Sequence, residues 1–594
     1  MRPRSGFLPS PLTGLLVAAL LVGSACQNDK PVTQSWTSSN STFGDLLVTS
    51  ASTYQGPADS TQTLRLALFL QRDETALDAY ARQVIDPASP NHRQFLTTAE
   101  IQSRFGPTGQ TQQQVLNFMQ SHGVTMTVGA AGILVHGEVT IEVLSRIFST
   151  SFGRYSRSGG IFVAPITSPT LPQGLQGVVT HVVGLSTEPG LDSNSNSVVS
   201  TNGDQRSTGT RSGCSAADKG LTPSQYLTAY GIQALQNSGL TGQGVYMAMV
   251  EETLFLQANV NQFTTCFSIA NPVTPQVITI GAAPTAYGVE PHLDVEIVLS
   301  AAPQLSGLYV FQSKVTSVAD WAKLFAAPLD TSNTGGNRVT ILSSSLGKCE
   351  LRWTQAGITA MEKVMKTLAV GGISVFSAAG DSGSSGCYKG DKNITALSTV
   401  YPATSAYVTA VGGTNLALST ANALTGSGVW NDTLWGFTHP VYAGGGGGTS
   451  TMVEAPSWQT GTGTGRTMRT VPDVAMLGDP YPGYAIYTTS GGSGSTSAWI
   501  ADGGTSAATP LMAGGVALLQ QRAAQNNTTL DLAYRWIYRL ANNSANYQSG
   551  FYDLTVNNND LFNLGCCNAG VGYDMASGWG SVNFSSLSTL LIGS

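Results

Sequence analysis

Five short runs of almost wholly apolar residues recur beyond residue 240, at 245–250, 308–311, 339–342, 373–378 and 408–411. A strand that is apolar at successive positions must be covered on both faces, because strict alternation is what a half-exposed strand shows. Longer helical patterns separate several of these runs, at 294–302 and 353–370 for example. Strands and helices in alternation give an α/β fold, a parallel sheet flanked by helices on both faces. In such a sheet, chemistry gathers at the carboxyl ends of the strands.

The chain before that region reads differently. From 38 to 188, short strands and amphipathic helices alternate in a smaller α+β unit. Its strands are expected at 64–70, 124–128 and 133–136, and its helices at 74–84, 111–122 and 141–148. Residues 189–219 are rich in Ser, Asn, Gly and Thr and lack apolar periodicity, as a processing linker between two folded units would. The larger unit then runs from 220 to 594. At the start, Arg2 and Arg4 precede an apolar run at 12–22, too short for a mature membrane span, so 1–25 reads as an export signal. Ala25 suits ordinary cleavage and Cys26 suits a lipid anchor, although Gly23 departs from the aliphatic residue a lipobox favours. Either way the mature chain is expected outside the cytoplasm, secreted or held at the cell envelope.

Charged residues make up only 10% of the chain, against roughly 25% in ordinary soluble domains. Solubility must then rest on neutral polar side chains, which keep their character when acid protonates carboxylates. A net charge of -6 offers no basic surface, so nucleic acid is excluded as a partner. Export permits disulfides among Cys214, Cys266, Cys349, Cys387, Cys566 and Cys567. Their spacing does not match a zinc site. The pairing is not readable, except that Cys566 and Cys567, being adjacent, are not expected to bond to each other.

Three segments carry chemistry. In Gly503-Gly504-Thr505-Ser506-Ala507-Ala508-Thr509-Pro510, small residues bring a serine to a loop-to-helix junction. There, backbone N–H groups and the helix dipole can meet a developing oxyanion. A plain helix cap would have the same composition. A serine nucleophile needs a base, and the larger unit holds two histidines, His292 and His439. His439 lies in a loop before Pro440. His292 sits within Gly288-Val289-Glu290-Pro291-His292-Leu293-Asp294, where Pro291 fits the first turn of a helix. On that helix Glu290 and Asp294 share a face and His292 points away. Two stacked carboxyls tend to share one proton, which makes them a base suited to acid pH. Alone they would read as a surface acidic pair. In Ser377-Ala378-Ala379-Gly380-Asp381-Ser382-Gly383, Asp381 follows the apolar run 373–378, and a protonated carboxyl there can donate to an oxyanion.

Together these segments resemble the sedolisin family of serine-carboxyl peptidases, which includes the kumamolisins. The resemblance implies a subtilisin-like fold and a Ser-Glu-Asp triad. It assigns Ser506 as nucleophile, Glu290 as general base, Asp294 as its carboxyl partner and Asp381 as the oxyanion-hole acid. The segments Asp86-Pro87-Ala88-Ser89-Pro90-Asn91-His92, Arg104-Phe105-Gly106-Pro107 and Val183-Gly184-Leu185 resemble the family's activation propeptide, implying an intramolecular inhibitor that acid releases. Asp553-Leu554-Thr555 and Ala569-Gly570-Val571-Gly572-Tyr573-Asp574 resemble its calcium loop. The implied ligands are the carboxylates of Asp553 and Asp574 and the carbonyls of Leu554, Gly570 and Gly572, a hard-oxygen set that suits Ca²⁺.

Two departures stand out: Leu346 replaces an aromatic residue in Ser343-Ser344-Ser345-Leu346-Gly347, and the run Gly444–Gly448 is longer than the substrate-side loop it resembles. Either Glu251 or Glu252 could approach the triad. The reading is a monomeric acid endopeptidase acting on polypeptides. The alternatives are a tripeptidyl aminopeptidase on the same scaffold, or a catalytically silent exported binding lipoprotein.

Overall fold

The strand Thr63–Leu70 alternates its side chains between two cores. In the computed structural model, which describes residues 42–45, 52–157, 160–188, 192–193, 220–435, 442–460, 466–489 and 497–593, Leu64, Leu66, Leu68 and Leu70 face one way. They pack on Val115 and Met119 of the helix Gly109–Ser121 and on Leu144, Ile147 and Phe148 of Ile141–Phe148. Ala67 and Phe69 face the other way and join the core that continues into the larger unit. The strand is central in an antiparallel sheet with Thr127–Val128, Leu134–Thr140 and Val179–Val183. This small sheet is therefore covered on one face by its own helices and on the other by the rest of the chain.

Polar contacts cross the same boundary. Arg65 donates to Asp320 at 2.8 Å, and Arg72 to the Thr367 hydroxyl and Lys363 carbonyl. Glu74 meets Lys363 and Lys366 at 2.9 and 3.2 Å. Arg338 donates to the Leu96 carbonyl, and Arg535 to that of Ile85.

Seven strands of the larger unit, among the described residues, form one all-parallel sheet. Their order is Gln276–Thr279, Gly307–Gln312, Tyr246–Glu251, Ile341–Ser344, Ser374–Ala378, Val408–Thr414 and Val474–Leu477. The five apolar runs all became strands here. Helices Glu290–Ala301 and Thr505–Gln525 pack on each other, and a Cβ on Gly514 would come within 2.7 Å of the Ala301 Cβ. Glycine there sets how closely these two helices approach.

Several sequence expectations are corrected. The strand expected over 124–128 is reduced to Thr127–Val128, because it pairs only with His136 and Val135 of its neighbour. The helix expected at 111–122 begins at Gly109, where the Thr108 hydroxyl caps it by accepting from the Thr111 N–H. Cys349 bonds to Cys387. Contrary to expectation, Cys566 bonds to Cys567, their Cα atoms 3.3 Å apart across a cis peptide that turns both sulfurs to one side. Residues 1–25, Cys26, Cys214 and His439 lie outside the described residues, as does most of 189–219.

Candidate active site

Ser506 is the second residue of the helix Thr505–Gln525. The chain enters that helix through Gly504 at φ 101°, a backbone conformation that side-chain-bearing residues rarely adopt. Its amide is pinned by the Gly478 carbonyl at 2.6 Å. The result is an abrupt loop-to-helix corner, as the glycine-serine motif requires.

Glu290 opens the helix Glu290–Ala301, with Pro291 at its first turn, and Asp294 lies one turn on. Both are buried, at 5% and 0% exposure, so they are not a surface acidic pair. Ser345 follows the strand Ile341–Ser344. Its hydroxyl donates to Asp294 Oδ2 at 2.7 Å and lies 3.3 Å from the Ser506 carbonyl. Burial, reinforced by the charge of Glu290, pushes the Asp294 carboxyl well above its ordinary range, and the Ser345 hydroxyl counters this. Glu251, the last residue of Tyr246–Glu251, is 1% exposed. Burial and the charges of Asp294 and Glu290 raise it strongly. The choice between Glu251 and Glu252, open in the sequence, thus falls on Glu251.

Asp381 lies three residues beyond Ser374–Ala378. Its Oδ1 accepts from the Thr505 N–H at 2.7 Å and the Thr505 hydroxyl at 2.9 Å, which ties it to the residue preceding Ser506. Its Oδ2 stands 3.3 Å from Lys389 Nζ. Burial raises Asp381 above its ordinary value, with Lys389 and Thr505 acting against that.

His292 is fully buried and occupied elsewhere. Its Nδ1 bonds to the Gly288 carbonyl at 2.8 Å, and its Nε2 accepts from the Leu256 N–H at 3.0 Å. Burial lowers it to about 4. Ser345 thus links Asp294 to the Ser506 carbonyl, Thr505 holds Asp381 beside the start of the Ser506 helix, and Glu290 is near enough to Asp294 for its charge to be felt, while His292 bonds elsewhere.

Sequence reasoning did not single out Lys389, Asp432 or Asp502. Asp502 ends the strand Ala498–Asp502, is fully buried and leaves Oδ2 without a hydrogen bond. Burial, then the charges of Glu290 and Asp381, raise it to about 8. Burial raises Asp432 to about 7. The one available signal was a lone carboxyl directly before the Gly503-Gly504 turn.

Towards the carboxyl terminus, Asp553 accepts from the Gly572 N–H and Asp574 from the Gly570 N–H. Burial raises Asp574 to about 6. A Cβ at Gly570 or Gly572 would meet nothing within 4 Å. Among the described residues no group of three or more His, Cys, Asp or Glu could hold a metal, so any cation here would rely on main-chain carbonyls as well.

Residues 50–188 match the Pro-kumamolisin activation domain, and residues 276–564 match the subtilase family. The chain is 27% identical over 554 residues to kumamolisin of Bacillus sp. (strain MN-32), covering 89% of this chain and 91% of that one. It is 27% identical over 535 residues to sedolisin of Pseudomonas sp. (strain 101), covering 88% and 85%. With tripeptidyl-peptidase 1 of Canis lupus familiaris the identity is 25% over 570 residues, covering 90% and 93%. Among solved structures, Pseudomonas sedolisin, a serine-carboxyl proteinase complexed with two molecules of pseudo-iodotyrostatin, shares the fold. Its TM-score is 0.52 at 24% identity, covering 64% of this chain and 98% of that one.

Proposed function

This chain belongs to the sedolisin family of serine-carboxyl peptidases, and from that membership we propose that it is an acid-acting endopeptidase made as a self-processing zymogen. The observation that carries the reading is the Ser345 hydroxyl that links the buried Asp294 carboxyl to the Ser506 carbonyl, together with a His292 whose two ring nitrogens are already engaged. Glu290 takes the Ser506 proton as the hydroxyl attacks a peptide carbonyl, and returns it to the leaving amine. Asp294, steadied by Ser345, shares that proton. Asp381, protonated, and the Ser506 N–H stabilise the tetrahedral oxyanion. Water then releases the acyl group by the same steps in reverse order.

Residues 38–188 act as the propeptide, 189–219 as the processing linker and 220–594 as the peptidase. Two linker residues support this division, because Ser193 and Asp192 pair antiparallel with Leu346 and Gly347, next to Ser345. A linker lying along that strand is in the position of a substrate. Calcium would be held by Asp553, Asp574 and the carbonyls of Leu554, Gly570 and Gly572. When bound it cross-links two loops through oxygen ligands. Among the described residues no helix is long and apolar enough to cross a membrane. The protein acts outside the cytoplasm as a monomer, with Cys26 its point of lipid attachment if it is anchored.

Casein digestion across pH 2–8 with Ser506→Ala as control tests the reading. Activity confined to acid and lost in the variant supports it, and activity rising towards neutral pH refutes the carboxyl base. The tripeptidyl-peptidase relatives favour a second reading. Digesting a protein with a blocked amino terminus alongside a free-amino tripeptide substrate separates the two.

A further inference from the structure

Both oxygens of Asp381 are engaged, and by groups of different character. Oδ1 accepts from the Thr505 N–H and hydroxyl, a fixed arrangement at the start of the Ser506 helix. Oδ2 faces the Lys389 ammonium at 3.3 Å. Lys389 is 18% exposed while Asp381 is 0%, so the cation reaches in from the rim. The disulfide Cys349–Cys387 ends two residues before Lys389, which anchors that loop to the strand Leu346–Cys349 beside the site.

A carboxylate paired with an ammonium has no proton to donate. On the reading of Asp381 given above, on which this inference rests, Asp381 must carry a proton on the oxygen facing the oxyanion. Oδ1 is held by two donors, so that oxygen is Oδ2, the one Lys389 occupies. We propose that Lys389 is a positioning residue that caps Asp381 Oδ2 and thereby sets the upper pH limit of catalysis. As pH falls, Oδ2 takes one proton from solvent, the ammonium loses its partner and moves to the rim, and the new O–H is free to donate.

The other charged groups facing Asp381 work against the lysine. Asp432, whose Oδ1 accepts from the Trp430 ring N–H, and Asp502, with Glu290 beyond it, are acids that favour the protonated form. Among the described residues Lys389 is the cation set against them, and removing it takes away that opposing charge. The proton on Asp381 then persists to higher pH.

The test compares Lys389→Met and Lys389→Arg with the wild-type chain, with Ser506→Ala as the blank. The full precursor is processed at acid pH, and kcat/KM for an internally quenched peptide is followed from pH 2 to 8. The Met variant is expected to keep its activity at the lowest pH and to move its upper limb upward by about one pH unit, the scale of one close opposite charge. The Arg variant is expected to track the wild type. The pH at which the Met precursor begins to process itself should rise in step. An unmoved upper limb in Lys389→Met overturns the inference. Activity lost at every pH also overturns it, because the ammonium would then be the oxyanion donor itself. If the wild type is active only in acid, Ser506→Ala is silent and the Met limb does not move, this inference alone falls. If the wild type shows no acid activity, the functional reading fails and this one with it.

Discussion

The Ser345 hydroxyl donates to Asp294 at 2.7 Å and lies 3.3 Å from the carbonyl of Ser506. One small side chain thus joins the strand Ile341–Ser344, the helix of Glu290 and Asp294, and the helix of Ser506. A buried carboxylate is costly without a donor, and this hydroxyl is the neutral donor that Asp294 receives at close range. It favours the charged form of Asp294, which would otherwise hold its proton more tightly.

Ser345→Ala removes that donor without adding bulk. The Asp294 carboxyl then rises further, so the pair releases its first proton at higher pH. We expect kcat/KM to fall about tenfold, equivalent to one buried hydrogen bond of about 1.4 kcal/mol. The acid limb of the pH profile moves upward while the upper limb stays in place. A pH–rate profile of the processed enzyme checks both.

The part of the fold legible in the sequence was the part buried on both faces. Strands such as Tyr246–Glu251 and Ser374–Ala378 have no polar alternation to confuse with anything else. The outer strand Gln276–Thr279 escaped because it is largely exposed and carries polar residues. Ser506, Glu290, Asp294 and Asp381 stood out in the sequence because each sits in a contiguous motif whose local geometry a short segment dictates. Lys389, Asp432 and Asp502 did not, since each reaches the site from a separate loop or strand end, and only tertiary packing decides that they meet. The Cys566–Cys567 bond escaped for a different reason, as it goes with one local peptide geometry that composition does not signal.

Acid should loosen the propeptide through three groups at its boundary with the peptidase. Glu74 is partly buried, which alone would raise it, but Arg72, Lys363 and Lys366 bring it down to about 2. A depressed carboxyl stabilises docking above its free value and loses that contribution as pH falls through about 4.5 towards 2. His136 and His181 are lowered to about 4 by burial, with Lys323 and Lys363 adding to it. For a base so lowered, the docked form binds fewer protons than the free form, so docking weakens as pH falls from about 6.5 to 4. Glu74→Gln should begin self-processing at higher pH, by about one unit. His136→Phe combined with His181→Phe should begin it at lower pH. Gel analysis of precursor aliquots from pH 2 to 7 reads both.

Calcium removal should cost stability rather than alter the chemistry, because Asp553 and Asp574 lie in loops separate from the Ser506 corner. With free ion at 100 times Kd, the bound form gains about 2.7 kcal/mol. Thermal melts of the Ser506→Ala precursor with calcium and with a chelator should separate by several degrees. Asp574→Ala should melt low in both conditions. Coincident wild-type curves would show that the loop holds no ion.

The buried acids give the fold an unusual preference for low pH. Asp502, raised to about 8, binds a proton in the folded state that the unfolded chain gives up near 3.8. The contribution of Asp502 to folding stability is therefore fullest below about pH 4 and declines as pH rises towards 8, on the order of a few kcal/mol. Asp432, raised to about 7, pulls in the same direction. Asp502→Asn carries no proton to lose and keeps a similar shape, so its stability should not decline in this way. Measured in the full-length Ser506→Ala background, which cannot process itself, the melting temperature of Asp502→Asn should match its parent near pH 4. It should exceed the parent increasingly towards pH 8. Parallel curves across that range would mean that Asp502 ionises in the folded protein as easily as in the unfolded chain, with its unpaired Oδ2 reached by water.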